Sequence, residues 1–120
     1  METTIYDVHN SPRIYIAQDH DQSIYTWDGH AVACIAGEGV FGWHGRHIGW
    51  FVAGVLYDIK GYRIGFTSAT CQGDTFAEPV KYTKFSKFDR FKPRSTFRRP
   101  ELSQLHSNQD IDAFIRQDAA

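Results

Sequence analysis

The chain has 120 residues, 42% hydrophobic and 15% aromatic, with a formal net charge of -1 and a mean hydropathy of -0.43. That is one domain's length, enough to bury roughly two-thirds of the unfolded surface without staples. The near-zero charge hides three blocks: residues 1–79 carry 4 Lys/Arg against 9 Asp/Glu, residues 80–100 carry 8 against 1, and residues 101–120 carry 1 against 4, so a basic arm faces an acidic body.

Four copies of one unit occupy the first half. "IYTWDGHAVACI" (24–35), "VFGWHGRHIGWF" (40–51) and "LYDIKGYRIGFT" (56–67) align without gaps at a spacing of 16 residues, and "IYDVHNSPRIYIA" (5–17) stands 19 residues before the second unit. Each reads as a β-hairpin: Asp28-Gly29, His44-Gly45 and Lys60-Gly61 sit between short runs of Tyr, Trp, Val and Ile, and a two-residue X-Gly loop suits a type I′ turn. In the first unit His9-Asn10-Ser11-Pro12 gives a loop one residue wider.

That turn sets a register in which one face collects Tyr25, Trp27, Val32 and Cys34, then Phe41, Trp43, Ile48 and Trp50, then Tyr57, Ile59, Ile64 and Phe66. This is the expected core face. The other face opposes Asp7 to Arg13, Thr26 to Ala31, Gly42 to His47 and Asp58 to Arg63, two of these pairs being ionic. A lone hairpin is unstable in water, so the four must share a core. The fold class is mainly β: four repeated hairpins in a pseudo-fourfold rosette or an open barrel, with turns at Gly29, Gly45 and Gly61.

After Ser68 comes a polar loop, "SATCQGDTFAEP", and then "VKYTKFSKFDRFKPRSTFRRP". Here Lys81, Lys84, Lys87 and Arg90 recur every three residues, each followed by Tyr82, Phe85, Phe88 or Phe91. Period three suits a polyproline-II-like segment with one aromatic and one basic edge. The aromatic row is expected to lie in a groove of the body, the cations facing water or acids; a bulged strand is the alternative. "SNQDIDAFIRQ" reads as a short helix capped by Ser107 or Asn108, with Ile111, Phe114 and Ile115 as its apolar stripe, and Pro100–His106 can add a turn. The organisation is a four-hairpin repeat domain at 1–70, a loop and basic aromatic segment packed on it at 71–100, and a short helical C-terminus at 101–120.

The pattern aromatic-x-Trp/Ile-x-Gly-x-x-Ile-Gly, repeated over the hairpins and followed by a basic period-three tail, resembles the bacterial 4-fold β-flower domain family. The likeness covers roughly residues 5 to 100. It implies four petal-like hairpins and transfers no catalytic residue, and the first unit departs from it in having Val8 and a Pro-containing loop.

Chemistry candidates are few. His44 and His47 spell H-x-x-H, but the register separates them along the hairpin, so no metal is expected. Cys34 with His30 could form a nucleophile pair, yet the same position makes Cys34 a core filler. Cys34 and Cys71 lack CxxC spacing and are expected to be reduced and buried. No catalytic motif, and hence no catalytic residue or cofactor, is expected. The apolar run Ile48–Tyr57 is far short of the ~20 residues of a membrane helix, and without a basic-then-apolar leader at Met1 the expected location is cytoplasmic. The expected role is a non-enzymatic protein-interaction or assembly module, through hairpin edges or through Lys81, Lys84, Lys87, Arg90, Phe85, Phe88 and Phe91. The alternatives are single-stranded nucleic acid on 81–99, because rings stack bases while cations follow phosphates, and a small ligand or carbohydrate between hairpins.

Overall fold

Runs of β-branched and aromatic residues, broken by turn residues at regular spacing, fold into hairpins that bury one side of each strand against the others. In the computed structural model, which describes residues 2–87, 92–94 and 97–119, these runs form eight antiparallel strands. They are β1 (Thr3–Tyr6), β2 (Pro12–Ile16), β3 (Ser23–Tyr25), β4 (Ala31–Ala36), β5 (Gly39–Gly42), β6 (His47–Val52), β7 (Val55–Asp58) and β8 (Arg63–Phe66). Each strand pairs with the next, and Tyr6 opposite Phe66 joins β1 to β8, closing a barrel. The rosette and the barrel are thus one object: four petals around one axis, closed rather than open. Closure pairs the strand edges, so the expectation of interaction through free hairpin edges does not hold for the described strands.

The petal turns differ from the expected two-residue form. In each, the first loop residue closes the loop and also starts a tighter turn: the amide of Thr26 donates to the carbonyl of His30 and that of Gly29 to the carbonyl of Thr26, and the same pair of bonds recurs at Asp7, Gly42 and Asp58. This is a type I turn followed by one left-handed residue, a three-residue loop with a G1 bulge. Only the last position needs positive φ, occupied by Asn10 (64°), Gly29 (95°), Gly45 (91°) and Gly61 (92°). His44 and Lys60 therefore avoid the strain a type I′ turn would impose. The first unit has the same loop length as the others, with Asn10 standing where they have glycine. A two-residue turn with both central residues at positive φ does occur, at Ala53-Gly54, which links two petals at the opposite end.

This turn moves the register at the petal tips by one residue, pairing Tyr6 with Pro12, Tyr25 with Ala31, Phe41 with His47 and Tyr57 with Arg63. A bulge in each petal, at Arg13, Val32, Ile48 and Ile64, then restores the expected pairing of Ile24 with Ala33, Val40 with Gly49 and Leu56 with Gly65. The consequence is a correction to the core face. The barrel interior is Ile5, Ile14, Ile16, Ile24, Ala33, Ile35, Val40 and Leu56, joined by the bulge residues Val32, Ile48 and Ile64. The large aromatics lie in three separate clusters: Trp50, Tyr57 and Phe66; Tyr15 and Tyr25, with Trp27; and Phe41 and Trp43, with Cys34. Strand alternation puts them on the outside of the barrel, buried because something covers them.

Helix α1 (Ile111–Arg116) plugs the turn end. Asp110 is its N-cap, accepting from the amide of Ala113, in place of Ser107 or Asn108. Pro100–His106 adds no helical turn among these residues. Ile111, Phe114 and Ile115 join the barrel core as expected of the stripe. The small residues of the interior make that possible: a Cβ on Gly49 would stand 2.7 Å from the Phe114 ring, and one on Gly65 would stand 3.2 Å from Ile111.

Polar residues complete the turns. Asp7 accepts from the amides of His9 and Ser11 and pairs with Arg13 at 3.0 Å. Asp58 accepts from Lys60 and Tyr62 amides, and the expected Asp58–Arg63 ion pair is not formed. The third petal has Gly42 at this position, and there Asp118 supplies the missing carboxylate, accepting from the amide of Arg46 at 2.9 Å.

Candidate functional site

Beyond Gly73 the chain meets the four petal tips in order. The amide of Phe76 donates to the carbonyl of Asn10 (3.0 Å), Phe85 to Gly29 (3.0 Å), Arg94 to Gly45 (2.8 Å) and Ser103 to Gly61 (2.9 Å). These contacts fall nine residues apart along the segment and match the four tips one by one, so the segment forms a girdle. The tip glycines serve it sterically as well as conformationally: a Cβ on Gly29 would lie 2.4 Å from the carbonyl oxygen of Thr83, and one on Gly45 would lie 2.5 Å from that of Lys92. Residues 74–87 contain no strand, so the bulged-strand alternative does not hold for these residues.

The cations meet the body's acids, one of the two expected placements, but the rings do not take the expected inward one. The girdle's lysines face the body. Lys81 and Lys84 both reach Glu2, at 2.9 and 2.5 Å, and Lys87 reaches Asp19 at 2.8 Å and Asp21 at 3.7 Å. The same ammonium groups lie over the outer aromatics: Lys81 over Tyr15 (4.7 Å) and Trp27 (5.9 Å), Lys84 over Tyr25 (5.3 Å), and Lys87 over Trp43 (5.9 Å). A cation on a ring face gains from the ring quadrupole while its apolar stem covers the ring edge. Hydrogen bonds from Lys84 and Lys81 hold Glu2 below the usual carboxylate range. Burial pushes Asp19 upward, but the donors Lys87 and Ser23 outweigh it and lower Asp19 to about 2.

The girdle's own rings point outward. Tyr82 is 65% exposed, Phe85 58% and Phe97 61%; Phe76, Val80 and Leu105 are exposed too. Tyr82 and Phe85, the described part of the expected aromatic edge, are therefore not seated in a groove, because that outer surface is already aromatic and offers ring faces to cations. Phe85 keeps one neighbour, the His30 ring stacked at 4.5 Å. Val8 and Tyr62, on petal tips, are the remaining exposed large apolar residues among those described, so six of the eight lie on the girdle and two on the tips. Of the segment's expected interaction residues, Phe88, Arg90 and Phe91 lie outside the described residues.

The histidine and cysteine candidates find structural places. His47 is buried, its Nε2 on the carbonyl of Gly49 (2.9 Å) and its Nδ1 accepting from the amide of Phe97 (3.0 Å), with Phe41 stacked on the ring at 4.6 Å. Burial lowers its pKa. His44 sits at the third tip, 3.9 Å from Asp118, and no metal-holding group of His, Cys, Asp and Glu exists among the described residues. Cys34 is buried beside Phe41 and Trp43, whereas His30 is exposed on the girdle, so the two do not make a nucleophile pair. Neither cysteine forms a disulfide; Cys71 is half-buried rather than buried. Among the described residues no helix is long and apolar enough to cross a membrane.

The site that emerges is a belt of outward rings carried on a four-petalled barrel, and the fold defines the chain as a four-hairpin β-barrel whose C-terminal segment is strapped around its tips. A family model described as 4-fold beta flower protein matches residues 3–115. The chain belongs to that family. No curated protein and no solved structure matches it.

Proposed function

We propose that the chain is a non-enzymatic protein-interaction module that engages an apolar, acidic partner surface through the outward edge of its girdle. The observation that supports this is the row of exposed apolar side chains on one segment: Phe76, Val80, Tyr82, Phe85, Phe97 and Leu105 on the girdle, with Val8 and Tyr62 on the petal tips it crosses. Scattered single apolar residues are ordinary on a surface, but a row carried along one segment marks a contact region. Lys92, Arg94 and Arg98, exposed on the same segment as Phe97, give the belt its preference for an acidic partner.

A second reading, single-stranded nucleic acid, is favoured by that same cluster, since rings and cations together suit bases and phosphates. Lys81, Lys84 and Lys87 weigh against it because their charges are already matched by Glu2, Asp19 and Asp21. A photo-crosslinking residue at Phe97, compared with one at Ala53 at the opposite end, tests the choice in cells. A discrete protein adduct at Phe97 and none at Ala53, identified as a partner or a second copy of this chain, is the expected result. Absence of an adduct, with salt-sensitive oligonucleotide binding lost in Arg94→Glu/Arg98→Glu, would replace the first reading with the second.

A further inference from the structure

Arg63 occupies the position in the fourth petal that His47 occupies in the third, each paired across its hairpin with an aromatic residue, Tyr57 or Phe41. At His47 both ring nitrogens have partners. At Arg63 only the backbone does: its amide donates to the carbonyl of Leu105 (2.9 Å) and its carbonyl accepts from Ser107 (2.7 Å). The side chain makes no ion pair among the described residues, and its Nε is buried with no hydrogen-bond partner. A half-buried guanidinium left in this state is costly, because a charged donor removed from water needs an acceptor.

Beside it lies a cavity of about 50 Å³, lined by Arg63, His106, Thr70, Asn10, Gln72 and the apolar Val8. No acidic residue lines it. Two of its polar groups are already engaged: the Asn10 side chain donates to the carbonyl of Gln72 (2.6 Å) and the Thr70 hydroxyl to that of Gly54 (2.6 Å). The guanidinium is the charged lining group with a buried unpartnered donor, and its donor fork matches a planar carboxylate. At roughly 10–15 Å³ per water-sized occupant the cavity takes about three to five heavy atoms, the size of a carboxylate and too small for a nucleotide.

We propose that Arg63, with His106 at its side, forms a binding notch for a single carboxylate group, supplied either by a free small acid or by an acidic side chain of a bound polypeptide. The notch adjoins the apolar belt at Val8, but its test does not need a partner. Titrate the protein with sodium acetate, with sodium chloride at matched ionic strength as the control, following the Arg63 Nε–H and His106 amide resonances. Saturable movement with acetate and none with chloride is expected, with affinity at least tenfold weaker in Arg63→Gln and unchanged in Arg98→Gln. A second titration with a blocked Leu-Glu-Leu peptide separates the sources: binding tighter than acetate assigns the notch to a polypeptide side chain, and equal or weaker binding to a free acid. Equal responses to acetate and chloride, or no saturable movement at the wild-type Arg63 Nε–H, overturn the proposal whether or not the variant folds.

Discussion

The amide of Arg94 donates to the carbonyl of Gly45 at 2.8 Å, and the backbone before it passes so close that a Cβ on Gly45 would lie 2.5 Å from the oxygen of Lys92. Gly37 also has positive φ, 61°, but a Cβ there would meet nothing within 4 Å. Alanine at either site bears the cost of left-handed backbone, about 1 kcal/mol. Gly45→Ala must also displace the girdle, and we predict a loss at least about 1 kcal/mol larger than for Gly37→Ala by urea denaturation. Equal losses would mean that the girdle does not rest on the petal tips.

Asp118 does for the third petal what Asp7 and Asp58 do for the first and fourth. Asp118→Ala should cost about 1–2 kcal/mol, since it leaves the Arg46 amide without its charged acceptor. The effect should appear in amide hydrogen exchange as faster exchange at Arg46, with Ser11 and Tyr62 unchanged. Uniform acceleration at all three would indicate general loosening instead.

Much of the barrel was legible because Gly29, Gly45 and Gly61 recur with the same aromatic neighbours. What the spelling did not distinguish was the turn type: X-Gly serves a type I′ turn and a type I turn with a G1 bulge alike. The poor left-handed tolerance of His44 and Lys60, and the gapless alignment of Asn10 with Gly29, were the available signals. A two-residue turn groups Val32, Ile48 and Ile64 with Tyr25, Phe41 and Tyr57 on one face, whereas the bulges turn the first three inward and leave the aromatics outside, buried because the girdle covers the barrel's outside. Period three revealed the two edges of the tail but not which faced inward. That depended on what the barrel surface offered, and a surface of Tyr15, Tyr25, Trp27 and Trp43 favours lysines over more rings. The nine-residue spacing of Phe76, Phe85, Arg94 and Ser103 is backbone-mediated, so side-chain identity hardly encodes it.

Acid should loosen the girdle through Asp19. Its carboxyl falls from an unfolded value of 3.8 to about 2 in the fold. A depressed folded pKa contributes stability that is complete above 3.8 and is lost as pH falls through about 2, to an extent of roughly 2 kcal/mol at most. Urea midpoints measured from pH 5 to pH 2 should decline over that window, and Asp19→Asn should flatten the decline while lowering the midpoint at pH 5. A variant with the same pH slope as the wild type would show that Lys87 is not held by Asp19.

The most direct test of the girdle's orientation compares melting temperatures of two triple variants. Lys81→Gln/Lys84→Gln/Lys87→Gln removes three cations from ring faces and carboxylates, interactions worth about 0.5–1 kcal/mol each at partly exposed sites, and we predict a fall of about 5–10 °C. Phe76→Ser/Tyr82→Ser/Phe97→Ser alters only outward rings and should shift the melt by less than about 2 °C. The opposite order, a stable lysine variant and a strongly destabilised aromatic one, would contradict the account, because it would place the rings against the barrel and the lysines in water.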